Sequence, residues 1–160
     1  MRSERTTLLG ATVALIALAA DQILKSSAHA WVGSHGDIQP FPGLNIIATS
    51  NTGVAFSLAQ GIAPSLLVAL GIMLSAVFCA WLLRTRSYAH ATGLGLAIGG
   101  ALGNVVDRLR FGSVRDFIDV YWGSHHWPAF NLADAVIVSG LALLILFPEQ
   151  RARQAPPAAR

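Results

Sequence analysis

The chain has 160 residues, of which 54% are hydrophobic and only 12% charged, with a formal net charge of +3. A soluble domain carries roughly twice that charged fraction, so lipid is the expected solvent for much of the chain. The small net charge gives no reason to expect a nucleic-acid partner, and the single cysteine, Cys79, excludes an intrachain disulfide and a cysteine metal cluster. Cys79 lies in an apolar run and reads as a small packing residue.

A membrane helix needs about 20 mostly apolar residues, and four segments meet or approach that length. The first spans about 7–24. A cleaved signal peptide is its alternative reading, with Arg2 and Arg5 as the basic start. The apolar run nevertheless continues to Leu24, and Asp21 and Lys25, one turn apart, read as an ion pair at a helix end. About 35 residues then separate spans one and two. Leu44–Thr49 and Gly53–Leu58 read as short strands around an Asn-Thr-Gly turn, within a β-rich outer loop over 36–60. Spans two, three and four are expected at about 62–83, 89–106 and 132–147. Gly95, Gly99 and Gly103 line one face of span three, a spacing that lets helices in lipid approach closely. The stretch between spans three and four reads as a loop, and 151–160 as a disordered tail. One domain, 1–150, holds everything else.

Basic residues favour the cytoplasmic side. Arg2 and Arg5, Arg84 and Arg86, and Arg151, Arg153 and Arg160 all share one side of this frame, so both termini are predicted to be cytoplasmic. Trp31, Trp122 and Trp127 fall at the outer interface and Trp81 at the inner one. The fold class expected is an all-α membrane protein with four transmembrane helices and a small β-rich outer subdomain.

Of the eight acidic residues, Asp21, Asp107, Asp116, Asp119 and Asp134 converge on the outer boundary. Carboxyls at membrane depth are costly and mark function or are paired. Two that sit together can share one proton and divide the work of base and acid in peptide hydrolysis, without a metal. Each also has a bland reading. Asp21 can pair with Lys25, and Asp107 with Arg108. Asp119 can be a solvated loop residue. Asp134, three residues after Asn131, has the spacing of a helix cap. Asp116, between apolar Val114 and Phe117, has no such explanation. His125 and His126 are adjacent and make a poor metal pair, so no metal or cofactor is expected. A Ser–Lys dyad from Ser26 or Ser27 with Lys25 is a weak alternative.

Five ordered blocks run through these residues: Asp21-Gln-Ile-Leu-Lys25, Asn51-Thr-Gly-Val-Ala-Phe56, Gly100-Ala-Leu-Gly-Asn-Val-Val-Asp-Arg108, Gly112-Ser-Val-Arg-Asp-Phe117 and Phe130-Asn-Leu-Ala-Asp134. In order and spacing they resemble bacterial lipoprotein signal peptidases (signal peptidase II), over nearly all of the chain from span one to span four. The resemblance implies a bacterial inner-membrane aspartic endopeptidase. It would remove the signal peptide of diacylglyceryl-modified prolipoproteins by cutting before the lipidated cysteine. It implies Asp116 and Asp134 as the catalytic pair, at the outer membrane face. It implies Asn51, Gly53, Gly103, Asn104, Arg108 and Asn131 as substrate-binding or supporting residues, with Asp21 and Lys25 also in a matching block. Membrane lipid is the expected surrounding, globomycin-like cyclic peptides the expected inhibitors, and a monomer the expected state. Val54 stands where alanine is commoner and Trp127 where phenylalanine is, and neither change removes a polar group. The glycine face of span three and span four are expected to form a groove for the signal helix. A transporter that uses the acids as a proton relay is the rival reading. It is disfavoured because the acids sit at one boundary and no internal repeat is visible. A non-catalytic assembly factor is the third reading.

Overall fold

In a computed structural model, the protein is described over residues 2–53 and 63–148. The expected second strand after Gly53, the first residue of span two and the tail lie outside the described residues. The element order is α1 (Arg2–His35), β1 (Ile38–Phe41), β2 (Leu44–Asn51), α2 (Pro64–Leu82), α3 (Tyr88–Phe111), β3 (Val114–Trp122), β4 (His125–His126) and α4 (Leu132–Leu146). The molecule is mostly helical, with one small antiparallel sheet in the order β1-β2-β3-β4.

α1, α2 and α3 are long and apolar enough to cross a membrane, while α4 is a shorter apolar helix of 15 residues. α1 has 34 residues, so it is about 51 Å long. That exceeds the bilayer core of about 30 Å, so its C-terminal turns extend past the apolar run to reach β2 and β3. The Asp21–Lys25 pair is therefore mid-helix, not at a helix end as expected.

α3 is the central helix and packs against α1, α2 and α4. Its many small residues explain this. A Cβ added at Gly99 would meet the Ala14 carbonyl oxygen at 2.5 Å and the Ala17 Cβ at 2.8 Å, and one at Gly95 would meet the Gly10 carbonyl oxygen at 2.4 Å. The close-packing reading of this face holds. The expected groove along it does not exist, because α1 fills it. A Cβ added at Gly100, one residue round the helix, would meet the Ala133 carbonyl oxygen of α4 at 2.5 Å. α1 and α2 turn the opposite character outward. Leu8, Leu15, Ile16 and Ile23 on α1 and Leu66, Leu70 and Ile72 on α2 are exposed. Apolar faces of that extent suit lipid rather than water. Cys79, expected to pack inside, is exposed on α2.

Gly99→Val is expected to force α1 and α3 apart, a packing strain of about 1–3 kcal/mol, with a lower thermal midpoint in detergent. Gly33→Ala is the control, since nothing lies near that position.

The segment after α3 differs most from expectation. Gly112, at φ 73°, caps α3 in the left-handed conformation and turns the chain back. Residues Val114–Trp122, expected as a loop, form the longest strand and pair with β2 in the register Thr49↔Asp116 and Asn45↔Asp119. β-branched and aromatic residues dominate this run, as strands favour, and β2 supplies a pairing edge too distant in sequence to foresee. Pro40 lies within β1, which among the described residues pairs only with β2, and an edge strand tolerates its missing N–H.

Candidate active site

A cavity of about 310 Å³ opens between α3, α4, the β2 and β3 strands and the 127–130 segment. Asn51, Asn104, Arg108, Asp116 and Asp134 supply its polar wall, and Val114, Trp127, Pro128, Phe130 and Val138 much of its apolar wall. β3 carries Asp116 into the cavity and α4 carries Asp134. Of the five converging acids, these are the two that line it. The other three serve elsewhere.

Asn131 joins the pair. As the N-cap of α4, its side-chain oxygen accepts from the Asp134 backbone N–H at 3.1 Å. The Asp134 carboxylate accepts in return from the Asn131 backbone N–H at 3.3 Å, completing a capping box. With its oxygen engaged, the Asn131 amide turns its Nδ2 toward Asp116 and donates at 2.6 Å. The cap reading of Asn131 and Asp134 is met, and the same Asn131 side chain joins Asp134 to Asp116. Asn104 donates to the other Asp134 oxygen at 2.8 Å.

Asp116 is 2% exposed. Burial pushes its carboxyl up to about 6, against the Asn131 and Asn51 hydrogen bonds, and the nearby Asp134 charge adds to the rise. A carboxyl in that range can hold or release a proton near neutral pH. The Asp116 carbonyl meets His29 Nε2 of α1 at 3.1 Å, a contact that no sequence spacing suggested. Arg108 donates to the Gly53 carbonyl at 2.9 Å and so ties the end of the β2 segment to α3. Asn51 accepts from the Gly53 N–H at 2.9 Å, an Asx turn.

Behind the cavity lies a buried charge cluster. Asp21, Lys25 and Asp107 have no exposed surface. Lys25 Nζ sits 2.8 Å from Asp21, 3.6 Å from Asp107 and 2.9 Å from Asn104 Oδ1. Asp107 does not pair with Arg108, its neighbour in sequence. It pairs with Arg115 at 2.9 Å, because consecutive helix residues point apart. Gln22 bridges Asp107 and the Gly103 carbonyl, at 3.1 Å each. Gln22 and Arg115 were missed as site support, although the polar triplet Asp21, Gln22 and Lys25 in an apolar helix was a usable signal. Gly103 has its role here: a Cβ would lie 2.6 Å from Asp21 Oδ2.

Asp119, expected as solvated, is buried. It accepts from Asn45 at 2.8 Å and meets His126 Nδ1 at 2.9 Å, and these partners hold its carboxyl below the ordinary range against the opposing effect of burial. It fastens the sheet and does not reach the cavity. Among the described residues, no group of three His, Cys, Asp or Glu side chains is arranged to hold a metal ion.

Comparison with known proteins agrees with this frame. Residues 13–148 match the family described as Signal peptidase (SPase) II. The chain is 38% identical to a lipoprotein signal peptidase of Anaplasma phagocytophilum, covering 88% of this chain and 92% of the relative. It is 41% identical to those of Paraburkholderia phymatum, covering 89% of each, and Xylella fastidiosa, covering 91% of each. Two solved structures, each described as a bacterial membrane enzyme, share the fold. One has a TM-score of 0.76 at 22% identity, covering 92% of this chain and 94% of the other. The second has 0.72 at 25%, covering 86% and 90%. The chain belongs to the signal peptidase II family of membrane proteases.

Proposed function

We propose that the protein is an aspartic endopeptidase that removes the signal peptide of diacylglyceryl-modified prolipoproteins, with Asp116 and Asp134 as its catalytic pair. The observation that carries this reading is the bridged dyad: two carboxylates on one cavity wall, hydrogen-bonded to the same Asn131. The pair holds one proton, on the more deeply buried Asp116. Asp134 accepts a proton from a water molecule as the water oxygen attacks the scissile carbonyl carbon. Asp116 gives its proton to the carbonyl oxygen. Collapse of the tetrahedral intermediate breaks the C–N bond: the nitrogen leaves with the proton that Asp134 took, and a hydroxyl of the intermediate returns its proton to Asp116 as the carboxyl product forms. Arg108, Asn51 and Gly53 are suited to hold the substrate backbone, and Asn104 and Asn131 to orient the carboxylates.

The apolar wall favours a lipidated substrate. Val138, Trp127 and Pro128 continue the cavity toward the exposed apolar flank of α4, where Ile145 and Leu146 are open. Acyl chains can stay in lipid while the cysteine backbone meets the dyad. We read α4 as a fourth span in the bacterial inner membrane, with both termini cytoplasmic and the dyad at the outer face. The exposed Trp31, Trp122 and Trp127 suit that outer interface. A monomer suffices, since one chain supplies both acids. Globomycin-like peptides are expected to compete for the same cavity.

The test is cleavage by the purified protein in lipid, with products read by mass spectrometry. The diacylglyceryl-modified prolipoprotein should be cut just before its cysteine and the unmodified precursor left intact. A chelator should leave the rate unchanged. Equal cleavage of both precursors, or loss of activity on chelation with recovery on added zinc, would contradict the proposal.

A further inference from the structure

Asn104 has two hydrogen-bonding ends, and they serve opposite sides of α3. Its Oδ1 accepts from Lys25 Nζ at 2.9 Å, and its Nδ2 donates to Asp134 at 2.8 Å. A carboxamide can turn over and exchange these ends unless a neighbour forbids it. Lys25 forbids it, because an ammonium offers only donors and tolerates only the amide oxygen. Lys25 itself is fully buried and clamped by Asp21 and Asp107. The clamp reaches α4 by a second route. The free Asp21 oxygen accepts from the Ala133 backbone N–H at 2.9 Å, one residue before Asp134.

Asn131 repeats the device. The Asp134 backbone N–H engages its oxygen, so its Nδ2 is left for Asp116. Each carboxylate of the dyad therefore faces an amide whose direction is fixed from behind by an obligate donor. For Asp116 that donor is local. For Asp134 it is an ammonium on another helix that does not line the cavity.

We propose that Lys25 is a positioning residue for hydrolysis: it locks the Asn104 amide so that its N–H always faces Asp134, holding that carboxylate in the orientation that receives the water proton. The inference rests on the dyad reading above. The charged groups around Asp134 are Arg108 on α3, Asp116 on β3 and, behind Asn104, Lys25 and Asp21 on α1 with Asp107 on α3. The donor from Asn104 serves the charged form of the pair. Its loss should let the dyad take up a second proton, and so lose its active form, at higher pH.

The test compares three variants in lipid. Asn104→Leu removes the amide. Asn104→Asp keeps an acceptor for Lys25 but has no N–H for Asp134. Lys25→Met combined with Asp21→Asn removes the ammonium together with its charge partner, so that no new unpaired charge is buried. A hydrogen bond to a charged group is worth enough that kcat should fall about 10- to 100-fold in each, with KM changed less than threefold. The acid limb of the kcat/KM profile should move up by about one pH unit. Adding Asn104→Leu to the Lys25 variant should cost little more, because the two act through one contact. Wild-type kcat in the Lys25 double variant, or a uniform loss of rate in both Asn104 variants with an unmoved acid limb, would overturn the inference. A variant too unstable for kinetics can be read by an infrared titration of its protonated carboxyl bands, where an unmoved midpoint for uptake of the second proton counts equally against it. If Asp116→Asn and Asp134→Asn still cleave, the dyad itself fails. If they are inactive while Asn104→Asp behaves as wild type, only the role of Lys25 fails.

Discussion

Asp116→Asn and Asp134→Asn should each lower kcat by about 10³-fold, the scale of losing a positioned general acid or base, while substrate still binds. The size follows from the division of labour proposed for the two groups. An amide at 116 cannot give up a proton to the carbonyl oxygen, and an amide at 134 cannot take one from water. Neither change should disturb the fold much. At 116 the new amide keeps an oxygen for the Asn131 donor and removes a carboxyl whose ionisation burial opposes. At 134 the new amide can accept from Asn104 or from the Asn131 N–H but not from both, so about 1 kcal/mol of capping is lost. The measurement is a steady-state comparison with globomycin binding as the check on the site. Lost turnover with retained inhibitor affinity is expected, and wild-type turnover in either variant would remove that residue from the mechanism.

Lys25→Met is the second large effect, and it falls on stability. The substitution leaves Asp21 and Asp107 fully buried without the ammonium that lies between them. Arg115 still neutralises Asp107. Asp21 keeps only the Ala133 N–H and a Gln22 contact. Removing one partner of a buried ion pair costs about 3–5 kcal/mol, because the stranded charge has no solvent. The thermal midpoint in detergent should drop accordingly. Adding Asp21→Asn should recover much of the loss. A Lys25→Met protein that melts like wild type would mean that water reaches this cluster.

The sequence was informative where one element explains a residue. Long apolar runs located α1, α2 and α3, although α1 continues to His35 because its polar C-terminal turns carry no hydropathy signal. The Asn131–Asp134 spacing announced the cap. The glycine spacing announced close packing, but not which helix would fill the face. Relations across distant segments were not legible. β3 needed β2, some 70 residues away, to become a strand. Asp119 needed Asn45 and His126 to be buried. Asp107 looked paired with Arg108 because adjacency in sequence suggested it, whereas helix geometry sends it to Arg115 and Lys25. From spacing alone Asp119 rivalled Asp116 and Asp134 read as a cap, and the motif blocks picked Asp116 and Asp134 out of the five acids. The cavity brings the same two together by a route independent of those blocks.

If Asp116 and Asp134 act as one acid–base unit, the pH profile of kcat/KM will show it. In the proposed mechanism the active form keeps one proton on Asp116 and none on Asp134. Asp116 loses its proton as pH rises through about 6 in the free protein, so the active form is lost in that direction. The profile should be a bell whose alkaline limb lies near 6 and falls tenfold per pH unit beyond it. The same limb in kcat should lie higher, because bound substrate excludes water from the cavity. A kcat/KM that stays flat from about pH 5 to about 8, or that rises through 6, would contradict the shared-proton dyad.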